Sequence, residues 1–186
     1  MTTSNGISRV VFDVAALTTI RNAVVEAYPK ESFGILYGEV KSREFIVTHV
    51  QVMQRVDRTS NSVSPDLKAK KRIDFLMDSD RMEVLGSYHS HPKMNYPYLS
   101  KTDVEEWRLL NETIQVVVSA NPTRLRKRKW YKAGEKTLLT RVVSDKPLTL
   151  RLSCYTRSSG TPRGYRILPA GKRRRNLRRT METVSH

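Results

Sequence analysis

The stretch Gly86-Ser87-Tyr88-His89-Ser90-His91-Pro92, followed by Ser100 and Asp103, decides how this chain reads. On a strand, residues i and i+2 point to one face, so His89 and His91 present both imidazoles to a single point in space. Val84 to Tyr88 supplies the strand. Ser100 fits a helix N-cap, which places Asp103 in the first turn of a helix over Ser100–Glu112. Two nitrogens and one carboxylate oxygen make three protein ligands. A fourth tetrahedral position is left for water, the arrangement of a catalytic rather than a structural zinc.

Elements follow outward from that stretch. Downstream, Thr113 to Ser119 is almost continuously apolar, as a central strand requires, and Asn121-Pro122 ends it. Arg126–Lys132, Thr137–Val143 and Leu148–Tyr155 read as an antiparallel meander with turns at 133–135 and 144–147. Upstream, Ile7–Phe12 reads as a short strand, and Asp13 caps a helix over Val14–Tyr28 that Pro29 stops. Glu31-Ser32-Phe33-Gly34-Ile35-Leu36-Tyr37-Gly38 is a buried strand opened by an acid, and Glu44–Val56 is its hairpin partner. Asp57–Lys71 reads as a mobile polar loop with a turn at Ser64-Pro65-Asp66, and Leu76–Met82 as a short helix before the histidine strand. No internal repeat is present.

The totals agree with one domain plus an appendage. A chain of 186 residues, 38% hydrophobic and 28% charged, is ordinary for a globular protein. No run approaches the roughly 20 apolar residues of a membrane span. The first eight residues are polar and lack a signal core, so no export is expected. The single cysteine, Cys154, has no internal partner and reads as a buried strand residue in a reducing cytoplasm. The net charge of +16 is confined to one region. Residues 1–122 hold 15 basic and 15 acidic side chains, whereas residues 123–186 hold 19 basic and 3 acidic ones.

Glu31-x-x-Gly34, His89-x-His91-Pro92 and Ser100-x-x-Asp103, in this order, resemble the signature of the JAMM (MPN+) zinc metalloproteases, whose best-known member is the proteasome-lid deubiquitinase. The resemblance covers about Ile7 to Tyr155. It implies an α/β fold with a mixed, largely antiparallel sheet flanked by helices, similar to cytidine deaminases. It also implies an isopeptidase that removes ubiquitin or a ubiquitin-like protein, or that trims a small sulfur-carrier protein. On the matching positions His89, His91 and Asp103 would hold Zn2+. Glu31 would hold and deprotonate the water on that metal and pass the proton to the leaving amine. Ser100 would donate to the developing oxyanion. Eight residues separate His91 from Ser100, one more than the family's usual pattern, and the extra one falls in Lys93–Tyr98.

Each feature alone has an ordinary reading: strand histidines, a capping box at Ser100 and Asp103, a surface acid at Glu31. Their joint occurrence in order favours the metal site. His49 has no partner pattern and reads as non-functional, like His186. From Arg157 the sequence is rich in Ser, Gly, Pro and Arg and reads as a poorly ordered tail after a catalytic domain over 1–156. Its run Lys172-Arg173-Arg174-Arg175-Asn176-Leu177-Arg178-Arg179 suits an acidic partner, such as the proteasome, or nucleic acid. The tail lacks interleaved aromatics for base stacking. A non-catalytic scaffold acting through this tail is the alternative to an enzyme.

Overall fold

The computed structural model describes residues 9–53, 56–58, 63–65, 68, 71–72, 82–110, 112–124, 128–134, 136–142, 147–158, 161–164 and 166–169. In chain order the elements are β1 (Arg9–Phe12), α1 (Val14–Ala27), β2 (Phe33–Lys41), β3 (Glu44–Val52), β4 (Val56–Arg58) and β5 (Val63–Pro65). Then come β6 (Glu83–Pro92), α2 (Lys101–Leu110), β7 (Ile114–Pro122), β8 (Arg128–Lys132), β9 (Thr137–Val142), β10 (Leu148–Ser158), β11 (Thr161–Gly164) and β12 (Arg166–Pro169). One large sheet has the order β12-β1-β3-β2-β6-β7-β10-β9-β8, with β11 on β10. It is mixed and largely antiparallel: β1–β12, β1–β3 and β6–β7 are parallel, and the other pairs are antiparallel. This is the expected α/β architecture.

Helix α1 starts where the chain offers a cap. The Asp13 side chain accepts from the Val14 amide, and Leu17 N–H bonds back to the Asp13 carbonyl at 3.0 Å. Its Leu17, Ile20, Ala23 and Val24 recur at helical spacing and are buried against one face of the sheet. That face offers Val10, Phe12, Leu36, Val116, Val118, Leu150 and Leu152, each at 3% exposure or less. Cys154 lies in the same cluster, fully buried on β10 as expected. Helix α2 makes the crossover between the parallel neighbours β6 and β7. Its Trp107 is fully buried and donates through Nε1 to the Glu112 carbonyl at 3.0 Å.

Two glycines let strands approach more closely than a side chain permits. A Cβ on Gly34 would stand 2.4 Å from Tyr88 Cε1 and 2.6 Å from the Gln51 carbonyl oxygen. A Cβ on Gly86 would stand 1.8 Å from the Ile114 carbonyl oxygen. The second contact is what seats β6 against β7 at the entry to the histidine strand.

Three expectations need correction or restriction. The stretch from Arg157, read as tail, continues β10 to Ser158 and then forms β11 and β12. β12 lies parallel to β1, pairing Val10 with Ile167, and Ile167 is fully buried. The folded body therefore runs at least to Pro169. The physical reason is that short edge strands need only a backbone partner and one apolar anchor, not a repeating pattern. Within the polar loop 57–71, β4 and β5 pair as a small antiparallel hairpin, with Ser64 and Pro65 inside a strand rather than a turn. The helix expected over 76–82 falls on residues 76–81 outside the described ones, and Met82 is not helical. The basic run 172–179 also lies outside them. Among the described residues no helix is long and apolar enough to cross a membrane.

Candidate metal centre

The pairing of β2 with β6 builds the centre. The ladder aligns Phe33 with His89 and Gly34 with Tyr88. It runs on past the end of β2: Ser90 N–H bonds the Ser32 carbonyl at 2.9 Å, and Ser32 N–H bonds Ser90 Oγ at 2.8 Å. One step further, the register sets Glu31 across from His91. Tyr88 Oη adds a contact at 3.0 Å to Ser32 Oγ. Ser90, between the two histidines, therefore points away from them and clamps the segment that carries Glu31. Nothing in a sequence reading singles out that role, although a small hydroxyl residue between two candidate ligands was its one signal.

The three expected ligands come together. His89 Nε2 and His91 Nε2 are 3.0 Å apart, with rings tilted by 53°. Asp103 Oδ1 lies 3.4 Å from His89 Nε2, and Asp103 Oδ2 lies 3.4 Å from His91 Nε2. A tetrahedral zinc with bonds of about 2.0–2.1 Å holds its ligand atoms about 3.3 Å apart. The carboxylate straddles the two imidazoles with one oxygen toward each, and one ligand atom from each of the three residues lies within 4.8 Å of the others, so the donor set can close on one ion. Both histidines are buried, at 4% and 6% exposure. Three dissimilar groups gathered this closely in a shielded spot suit a shared cation better than they suit one another.

Asp103 arrives through the start of α2. Ser100 N–H donates to Asp103 Oδ2 at 2.6 Å, and Asp103 N–H donates to Ser100 Oγ at 3.1 Å. This is a reciprocal capping box with Asp in place of Glu. The capping reading and the ligand reading of these residues hold together: the cap orients the carboxylate that faces the histidines. Ser100 Oγ accepts from the helix, and its hydroxyl stands beside the Asp103 carboxylate as a donor.

Electrostatics separates the two acids. Burial would push the Asp103 carboxyl up. Hydrogen bonds to His89 and His91, the charge of His89 and the bond with Ser100 outweigh it and hold the group well below the usual carboxylate range. Glu31 goes the other way. Burial, at 5% exposure, pushes its carboxyl from 4.5 up to about 7; His91 pulls it down, while Asp103 and Glu106 push it further up. One carboxylate is thus kept ionised and the other held near neutrality, the pattern that distinguishes a ligand from a proton carrier.

The loop with the extra residue is tied down at both ends. Lys93 takes a left-handed conformation (φ 65°) and its N–H bonds the Ala120 carbonyl at 2.7 Å. Asn121 Nδ2 bonds the Met94 carbonyl, Arg151 Nη1 the Asn95 carbonyl at 2.9 Å, and Tyr155 Oη the Pro97 carbonyl at 2.6 Å. The insertion is absorbed as a bulge that leaves Tyr96 and Tyr98 exposed. His49 stands exposed on β3, with Nδ1 3.0 Å from Thr48 Oγ1.

The fold and this centre define a JAB/MPN domain. The family described as prokaryotic homologs of the JAB domain matches residues 13–131, and the chain belongs to it. Among solved structures, the solution structure of protein DSY2949 from Desulfitobacterium hafniense is similar over 86% of this chain and 92% of that one, at 15% identity and a TM-score of 0.59. A JAB1/MPN domain protein from Archaeoglobus fulgidus, AF2198, is similar over 87% and 99%, at 17% identity and a TM-score of 0.47. No curated protein matches the chain. The family includes hydrolases as well as inactive members.

Proposed function

We propose that this chain is a zinc-dependent isopeptidase that hydrolyses the bond after the C-terminal glycine of ubiquitin or a ubiquitin-like protein. One observation carries the reading: His89, His91 and Asp103 bring one ligand atom each to within 4.8 Å of the others, with Glu31 set across the ladder from His91. Members without activity have no need of that full set.

His89, His91 and Asp103 would hold the zinc, which when bound supplies Lewis acidity that activates water and polarises a carbonyl. Glu31 takes a proton from the attacking water and returns it to the leaving amine. Burial pushes its carboxyl above the ordinary carboxylate range, which suits a group that takes up a proton and hands it on. The Ser100 hydroxyl, whose oxygen is anchored on the Asp103 amide, donates to the carbonyl oxygen as negative charge develops there. The burial of both histidines keeps bulk water from competing with these bonds.

Purified chain should contain about one zinc and release the modifier from a linear ubiquitin-like fusion, and a chelator should stop the release. Glu31→Gln should keep the zinc and lower the cleavage rate by roughly 10²–10⁴-fold, the usual contribution of a general base. Cleavage by Glu31→Gln at the wild-type rate would overturn the mechanism. A chain that purifies without zinc and takes none up would favour the scaffold reading.

A further inference from the structure

The face that carries the metal centre also carries a row of arginines that the hydrolytic reading does not use. From His89 the ladder leads to Val117 on β7 and Ser153 on β10. Two residues along β10, on the same face, is Arg151. Thr149, two further, pairs with Arg141 on β9, and Arg141 pairs with Arg128 on β8. The row thus spans three adjacent strands and ends about 19 Å from the histidine strand, at the strand spacing of about 4.8 Å.

Arg128 and Arg141 stand directly opposite each other, an arrangement of like charges that destabilises a ladder unless a counter-charge meets it. Among the described residues no carboxylate pairs with Arg141, and its Nε is shielded from solvent without a hydrogen-bond partner. No described residue supplies the counter-charge, which an anionic ligand would provide. An aromatic ring lies at the inner end of the row. There the Arg151 guanidinium is 5.6 Å from the ring centroid of Tyr96, which is 68% exposed.

We propose that this face binds a single-stranded nucleic acid, with successive phosphates along the row Arg128, Arg141 and Arg151 and a base against the exposed Tyr96 ring. Regularly repeated charge is what separates this ligand from an acidic protein. A nucleic-acid strand brings one negative charge with every nucleotide, matched to a row of cations on adjacent strands. Guanidinium planes and exposed rings also offer stacking surfaces that carboxylates do not use. The surface belongs to the folded body and is made by residues other than the basic run at 172–179. It does not depend on the hydrolytic reading.

The test is fluorescence anisotropy of a labelled oligothymidylate, about 20 nucleotides long, titrated with full-length chain between about 50 mM and 200 mM salt. Binding should weaken steeply with salt. R128E should lower affinity about tenfold and reduce the log–log salt slope by about 1. The same change should raise the melting temperature, because it replaces a like-charge pair with an opposite-charge pair facing Arg141. A merely misfolded variant cannot produce that pair of opposite effects. R141Q, which only removes a charge, should also weaken binding. The proposal is overturned if R128E and R141Q bind as wild type, or if only deletion of residues 172–186 removes binding. It is equally overturned if a polyglutamate peptide displaces the oligonucleotide at equal charge concentration, which would mark an acidic-protein surface instead.

Discussion

The two faces of the large sheet are made by alternate residues of the same strands and are buried to a similar depth. One is wholly apolar, whereas the other sets polar groups beside the smaller apolar cluster of Phe33, Ile35, Tyr37 and Met53. Toward α1, Leu36, Tyr88, Val116, Val118, Leu150 and Leu152 form a dry cluster. On the other side the intervening positions include Ser87, His89, His91, Gln115, Ser119 and Ser153, all buried and all polar. A helix stripe pays the folding cost on the first face. The second face can then hold polar groups that a core would not tolerate, provided that they satisfy one another. Ser87 does so with Glu112 at 2.5 Å, and the histidines do so with Asp103. Period two, not distance, keeps stability and chemistry apart: a ligand and a core residue can be neighbours in the chain and still face opposite sides.

The sharpest test of this division is Leu36→Ala. Loss of a fully buried leucine from the α1 face should cost about 2–5 kcal/mol in denaturant unfolding. The folded fraction should still bind zinc with unchanged stoichiometry. A drop in zinc per folded chain would show that the faces are coupled.

The second test uses pH in zinc-free chain. Glu31 has a folded-state pKa above its ordinary value, so its contribution is fully present below pH 4.5 and is lost as pH rises through about 7. Denaturant unfolding should show stability falling over that window, by up to about 3 kcal/mol for this group. Glu31→Gln should flatten the slope, and Leu36→Ala should keep it. Asp103 has the opposite sign: its contribution is present above pH 3.8 and is lost as pH falls below it. An unchanged slope in Glu31→Gln would mean that some other group titrates there.

The smallest expected effect belongs to Ser100→Ala. Removing the cap should cost about 1 kcal/mol, read as a shift of the unfolding midpoint, and should loosen Asp103. If it weakens zinc affinity more than it weakens the fold, the capping box serves the centre. Equal stability of variant and wild type would show that the cap adds nothing measurable.

Features with local causes were legible in the chain. His89 and His91 share a face because strands alternate, and Asp103 follows Ser100 because a capping box has that spacing. Asp13 announces α1 in the same way. The meander over β8, β9 and β10 could be followed from its turns. The strands after Arg157 could not. Ile167 is the one fully buried residue of a four-residue strand, too short to show a period, and its place beside Val10 depends on an edge of β1 built by the far end of the chain. The loop anchors Asn121, Arg151 and Tyr155 were equally silent, since each acts 26 to 58 residues away from its partner.

The His-x-His stretch shows where the two sources of information divide. Sequence alone determined the kinds of ligand, their spacing, and that Glu31 opens a buried strand, because each depends on bonds within a turn or on the pleat of one strand. Only the tertiary structure decided that Glu31 faces His91. That placement comes from the β2–β6 register, extended by Ser32 and Ser90 and made close by Gly34, and pairing between distant strands leaves no period in either one. The same holds for the arginine row. Arg128, Arg141 and Arg151 are unremarkable in sequence and become neighbours only when three strands stack side by side.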